Sequence, residues 1–519
     1  VNASLPRLFA PHRLCAVAAV LLAVVIGLLI PMAGDVKLLS LGIAIAGLVG
    51  AGCFLVLPNR RIALVCAWAF VFPLSLEKVF PLFKPAYPGF LIAPVVVSGA
   101  DLIFYLLTIT MFLEAAVQGR KVFHWSAALT PYALLVAWVG VTFFIDWPTS
   151  EGVMQIIHWV KMFLFLVVFS SAIRTREELL AVLVTLASAV LVQSGIVIAA
   201  YVLKRHLGFS PKAAEAALLS IPSGGEIITR ATGTVGHSNQ QAMYQALFTV
   251  PLVALFMVRN WIWRIVAALV LLISFCAIIL TFSRTSWISC TLAAGVILLI
   301  AWRHHRITRA GWLGLCLGAL VVVTTAGAFS GLIITRLTKA DDGASLSRVH
   351  LALLALEHIS NHPIKGVGPG NFINAKVATS GPVEWAYNVW LPRNTEYKPH
   401  FIGNMEIGQI ELNNQWYYSS LPAHNKYLLV AAEMGLVGLA LFVWFQWRLF
   451  RTALQGLKAR DPLLWWTGVI LAGTFAVTLN EFTFELFYDD KTVLMPLFVN
   501  ALMICLARIA TSQNEGAVA

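Results

Sequence analysis

Apolar runs of roughly 18–22 residues recur from one end of the chain to the other, each long enough to cross a bilayer as a helix. In lipid a backbone has to satisfy its own polar groups, which leaves only helices or a closed barrel, and runs of this length select helices. Hydrophobic residues make up 59% of the 519 and charged residues 12%, too little charge to cover a soluble surface of this size. Mean hydropathy is +0.83. The chain reads as an all-α polytopic membrane protein with about 12–14 transmembrane helices and a large, partly helical loop on one side.

The candidate spans are roughly 14–32, 37–57, 62–80, 92–116, 127–146, 153–173, 179–201, 241–258, 265–282, 286–302, 312–330, 426–447, 464–480 and 492–508. Pro73 and Glu77 interrupt the third, and Asp101 sits inside the fourth. No small-residue cleavage site cleanly follows the first apolar core, so it reads as a span and not as a cleavable signal. The organisation is membrane helices over 1–330 with an outside loop at 202–240, a large outside loop at 331–425, and further membrane helices over 426–519.

The excess of 36 basic over 24 acidic residues, a net +12, suggests nucleic acid until positions are considered. Arg60 and Arg61, Arg174 and Arg176, Arg303 and Arg306, Arg448 and Arg451, and Arg508 fall in alternate loops or tails. That is the pattern of cytoplasmic loops, and it puts both termini in the cytoplasm. The seven cysteines lie in apolar spans without ligand spacing, and read as small buried hydrophobes. No GxxxxGK[ST] or GxGxxG cradle is present, and no HExxH. Asp341 and Asp342 are adjacent, but adjacent acids are ordinarily a solvated loop. The sequence supports neither a metal nor a cofactor.

Four polar residues on the outside carry the candidate chemistry. Arg284 lies where one span ends and the next begins. Its planar fork of donors suits phosphate oxygens, and snorkelling to headgroups is the plainer alternative. Arg348 is expected to begin a loop helix over Ser347–Ile359, where free N–H groups also favour an anion; alone, it would equally be a solvated surface arginine. His424 stands just before the twelfth span, where a neutral imidazole can take a proton from a hydroxyl or simply hydrogen-bond at an interface. Arg230 opens a cluster with Gly233, Gly236, His237 and Asn239, whose glycines allow close backbone approach or serve an ordinary turn. His237 and His400 compete with His424 for the same side. Lys161, inside a span, has to face a cavity or a partner.

Their order is Arg230-x-x-Gly with His237-x-Asn239, then Ser283-Arg284, then Arg348 followed by His362-Pro-Ile-Lys-Gly-Val-Gly-Pro-Gly-Asn-Phe372. His424-Asn-x-Tyr-Leu and Glu433-x-Gly-Leu-x-Gly-Leu439 complete it. In this order the chain resembles the bacterial O-antigen ligase and polymerase superfamily over about residues 200–450. The resemblance implies a glycosyltransferase of the inner membrane, working at the periplasmic face on glycans carried by undecaprenyl diphosphate. It implies that Arg284 and Arg348 grip the donor diphosphate, with Arg230 beside them. His424 would deprotonate the acceptor hydroxyl, the large periplasmic loop would close over both substrates, and transfer would be metal-independent with inversion.

Within that superfamily the stretches Gly233-Thr-Val-Gly-His-Ser-Asn and Ala423-His-Asn-Lys-Tyr-Leu lean toward a polymerase of exopolysaccharide or O-antigen repeat units. The alternative is a ligase moving glycan to lipid A–core. From another class, a transporter or flippase of lipid-linked sugar would suit the number of spans. However, no two similar halves appear, and the polar cluster lies at one face.

Overall fold

The computed structural model describes residues 59–74, 77–80, 95–119, 121–145, 150–204, 220–223, 226–257, 261–304, 327, 329–331, 333–334, 342–372, 396–402, 405–412, 415–418, 423–484 and 490–515. The expected spans 14–32 and 37–57, and most of 312–330, lie outside them. Twelve α-helices are described: α1 Arg60–Val71, α2 Gly99–Gln118, α3 Leu129–Ile145, α4 Ser150–Ala172, α5 Arg176–Leu203, α6 Ser238–Thr249, α7 Trp261–Leu280, α8 Arg284–Arg303, α9 Asp342–Asn361, α10 Lys426–Gln455, α11 Pro462–Phe484 and α12 Asp490–Glu515. Among the described residues, α2, α4, α5, α8, α10, α11 and α12 are long and apolar enough to cross a membrane; α3 and most of α7 are shorter apolar helices. The all-α polytopic reading holds.

The two interrupted spans depart from simple crossings, each for a local reason. Residues 62–80 stop as α-helix at Val71, tighten to a 3₁₀ turn over Phe72–Leu74, and continue as strand β1, Glu77–Phe80. Pro73 lacks the N–H a helix needs there. β1 pairs antiparallel with β2, Val95–Ser98. The fourth span therefore starts later than its apolar content indicates, and Asp101 is at the head of α2 and not inside it. The Ser98 side chain accepts from Asp101 N at 3.0 Å while Asp101 Oδ2 accepts from Ser98 N at 2.9 Å, a reciprocal cap. Asp101 also supplies the partner that Lys161 on α4 requires, with Nζ–Oδ1 at 2.7 Å. Likewise α6 gives way to a 3₁₀ segment, Val250–Met257, where Pro251 breaks the ladder.

The loops hold small antiparallel sheets: β3 Ser220–Ser223 with β4 Glu226–Thr229, and a meander of β5 Glu396–Ile402, β6 Met405–Leu412 and β7 Gln415–Tyr418.

At one end of the bundle the arginines of the alternating pattern find partners. Arg61 pairs with Glu178, Arg174 with Glu114 at 2.7 Å, and Arg176 with Asp461 at 3.0 Å, while Arg508 donates to the Ile173 carbonyl. α4 leads from this end to the other, where Gly152 at its start lies under the Pro369 carbonyl. Between them Trp68, Phe165, Phe169 and Phe498 pack ring on ring, at 4.8 Å for Trp68–Phe498 and 4.2 Å for Phe165–Phe169. Such contacts hold helices together where lipid offers no hydrophobic drive.

Candidate active site

The end away from the arginine pairs is assembled by chain turns that bind the carbonyls of helix ends. α7 stops at Leu280 and leaves its last carbonyls without helical donors. Ala231 N donates to the Leu280 carbonyl at 3.2 Å, and Arg230 Nε to that of Thr281 at 3.0 Å. Arg230 Nη2 also reaches Asn239 Oδ1. The buried Arg230 guanidinium thus ties the turn before α6 to the turn before α8. Gly233 completes this packing: a Cβ there would lie 2.1 Å from Gln241 Oε1. Gln193 on α5 holds Thr234 through both amide atoms, and Thr234 Oγ1 donates to the Pro73 carbonyl at 2.6 Å. The break at Pro73 is part of the same construction.

His237 follows as the cap of α6. Its Nδ1 accepts from Asn239 N at 3.1 Å, so the neutral ring carries its proton on Nε2. Sequence reasoning named His237 only as a competitor and gave it no role. The available signal was a polar residue with Gln240 three positions on, a capping pattern.

Arg284 is the first residue of α8. The chain turns sharply before it, with Phe282 at φ 57°, and Ser283 makes no side-chain cap. The first turns of α8 are anchored to α11: Ser286 and Ser289 donate to Glu481 Oε1 at 3.0 and 2.9 Å, and Asn480 Nδ2 donates to the Thr285 carbonyl at 3.2 Å. The Arg284 side chain is half-buried.

Arg348 is not at a helix start. α9 begins at Asp342, so Arg348 lies within it, where backbone N–H groups are already engaged by the helix. The helix-end argument for anion binding is withdrawn; what Arg348 offers is its own guanidinium.

His424 is placed by α10, whose cap Asn425 accepts from Leu428 N at 2.9 Å. α10 breaks at Gly435, with φ 69° and ψ −176°, and the large loop repairs the break. Leu436 N donates to the Pro363 carbonyl at 2.7 Å. The freed carbonyls of Ala432 and Glu433 accept from Val367 N and Gly368 N, both at 2.9 Å, and that of Met434 from Trp138 Nε1 at 2.8 Å. Backbone groups freed by a helix break and buried in protein need such replacement.

Arg348, His424, His237 and Arg230 then share one electrostatic neighbourhood. Burial first, then the Arg348 charge, pulls the His424 pKa from 6.5 to about 4. Burial, then Arg230, His424 and Arg348, pulls His237 to about 4 as well. Both imidazoles are neutral at pH 7, beside two guanidinium charges. His424 Nδ1 is buried with no hydrogen-bond partner among the described residues. Arg284 is not among the charges acting on either histidine. It joins the group through the turn that Arg230 grips. The side chain of His400, on β5, is outside the described side chains. Lys161 is in the Asp101 ion pair within the bundle.

No curated protein matches the chain. Residues 269–443 match the family model described as O-antigen ligase. The matched stretch contains Arg284, Arg348, His424 and the break at Gly435, while Arg230 and His237 precede it. That match, over about a third of the chain, supports its resemblance to the O-antigen ligase/polymerase superfamily.

Proposed function

We propose that this protein is a metal-independent, inverting glycosyltransferase of the bacterial inner membrane that moves a glycan from undecaprenyl diphosphate to an acceptor sugar hydroxyl. The observation that carries this reading is the neutral His424 imidazole beside the Arg348 guanidinium. These groups gather at the bundle end away from the paired arginines. The positive charge of the other end supports a cytoplasmic position for it, and with it a periplasmic position for the site.

In this mechanism His424 accepts the acceptor hydroxyl's proton as its oxygen attacks the anomeric carbon. The bond from that carbon to the diphosphate oxygen breaks, and undecaprenyl diphosphate leaves with the electron pair. Arg284 and Arg348 hold the diphosphate and stabilise its growing charge, with Arg230 adding positive potential from its buried anchorage. Donor binding also tunes the base. Burial and then Arg348 hold the His424 pKa down, and a diphosphate beside Arg348 offsets the second of these and raises the pKa toward a useful range.

The preferred product is a polymer of exopolysaccharide or O-antigen repeat units; the ligase description of the matching domain favours transfer to lipid A–core as the second reading. Purified protein mixed with undecaprenyl-diphosphate repeat units, with and without lipid A–core, separates the two. A ladder from donor alone marks a polymerase. A shifted lipid A–core band that requires that acceptor marks a ligase. No product from a competent donor contradicts both.

A further inference from the structure

We propose that Glu433 is a positioning residue whose buried carboxylate couples the loop helix carrying Arg348 to the head of the membrane helix carrying His424. The inference rests on the roles proposed above for those two residues. Glu433 is 3% exposed, on α10 just before the break. Its carboxyl group lies against the backbone amides of Gly370 and Phe372 and near Lys426, and its Oε1 is buried with no hydrogen-bond partner among the described residues. Lys426 is the first residue of α10, two positions after His424, and its ammonium sits 5.3 Å from the centre of the Trp159 ring.

The other arm runs through Phe372. Its carbonyl accepts from His358 Nε2 at 2.9 Å, and His358 is on α9, the helix of Arg348. A connected path therefore leads from Arg348 along α9 to His358, across Phe372 to Glu433, and by neighbouring Lys426 to His424.

Fastening the loop does not explain this carboxylate, because the backbone bonds at Pro363, Val367 and Gly368 already dock the turn onto the broken helix. A buried carboxyl group near a lysine is also a poor means of stabilisation, since apolar residues of similar volume commonly do as well or better. What the carboxyl group adds is a polar link between the two arms of the site. Fixing reactive groups through such supporting contacts commonly changes rates about 10–100-fold.

The test compares the full-length wild type with Glu433→Leu/Lys426→Met, Glu433→Asp and His424→Ala. The double variant removes both polar side chains together, and because the Gly370 and Phe372 amides lose their acceptor its thermal unfolding in detergent should fall somewhat below wild type while the protein remains folded. Its kcat should fall roughly 10–100-fold, and amide exchange at Gly370 and Phe372 should quicken. Glu433→Asp keeps the carboxyl group and should recover part of kcat. A folded double variant with wild-type kcat and unchanged exchange overturns the inference. Should the double variant fail to fold, the near-isosteric Glu433→Gln serves instead, and wild-type kcat in it overturns the inference equally. Full activity in His424→Ala would instead contradict the underlying mechanism, whatever the Glu433 variants do.

Discussion

Gly366 lies against the backbone of Glu433 so closely that a Cβ on it would stand 2.3 Å from the Glu433 carbonyl carbon. Its φ of 72° is one that side chains resist, so both space and conformation require glycine there. Gly366→Ala should therefore destabilise the protein by about 2 kcal/mol or more. Gly195→Ala, in α5 with nothing within 4 Å of the added carbon, should be neutral or slightly stabilising. Thermal unfolding of the two variants in one detergent checks the contrast; equal effects would contradict the docked geometry.

Arginine-to-lysine changes should separate anchoring from substrate contact. Arg230 spends its guanidinium on the Thr281 carbonyl and Asn239, so Arg230→Lys should lower the unfolding temperature. Arg284→Lys and Arg348→Lys should unfold as wild type does, yet lose activity by about tenfold or more, since lysine lacks the bidentate fork. Wild-type donor affinity and rate in both would refute the diphosphate clamp.

The histidines make stability depend on acid. His237 and His424 have folded pKa values of about 4, below the ordinary 6.5, so the unfolded chain binds more protons between those values. Their contribution is fully present above pH 6.5 and is lost as pH falls from there to about 4. Unfolding followed across that window should show stability falling with acidification, less steeply in His237→Gln. An opposite slope attributable to His237 would contradict its buried, neutral state.

The same field predicts a kinetic signature. The acid limb of kcat/KM reports the free enzyme and should lie low, near the depressed value of His424. That of kcat reports the donor-loaded enzyme and should lie at higher pH. Coincident limbs would contradict the compensation of Arg348 by diphosphate.

Charge stabilisation by arginines rather than by a metal predicts that dialysis against EDTA leaves the initial rate unchanged. A loss restored by a divalent cation would overturn that part of the mechanism.

Run length and breakers made the membrane helices legible: the apolar stretches of α4, α5, α8 and α10–α12 announce themselves, and Pro73 marks the failed third crossing. Arg230, Arg348 and His424 were legible as residue types because they are polar groups flanked by spans. Their surroundings were not. Gly435 looks like any glycine in an apolar helix, and its break depends on a distant turn supplying donors to Ala432 and Glu433. His237 gains its environment from Arg348 and His424, far along the chain. Arg348 was misplaced at a helix start because the helix was expected to open at Ser347, while it had already begun at Asp342. The meander over Glu396–Tyr418 likewise escaped a reading tuned to helical periods.

The central claim is that His424 is the base for glycan transfer, and the most direct measurement is single-turnover transfer by His424→Ala on a defined undecaprenyl-diphosphate glycan. The variant should insert and unfold as wild type does, bind donor, and transfer about 10²–10⁴-fold more slowly. Transfer at the wild-type rate would contradict the account.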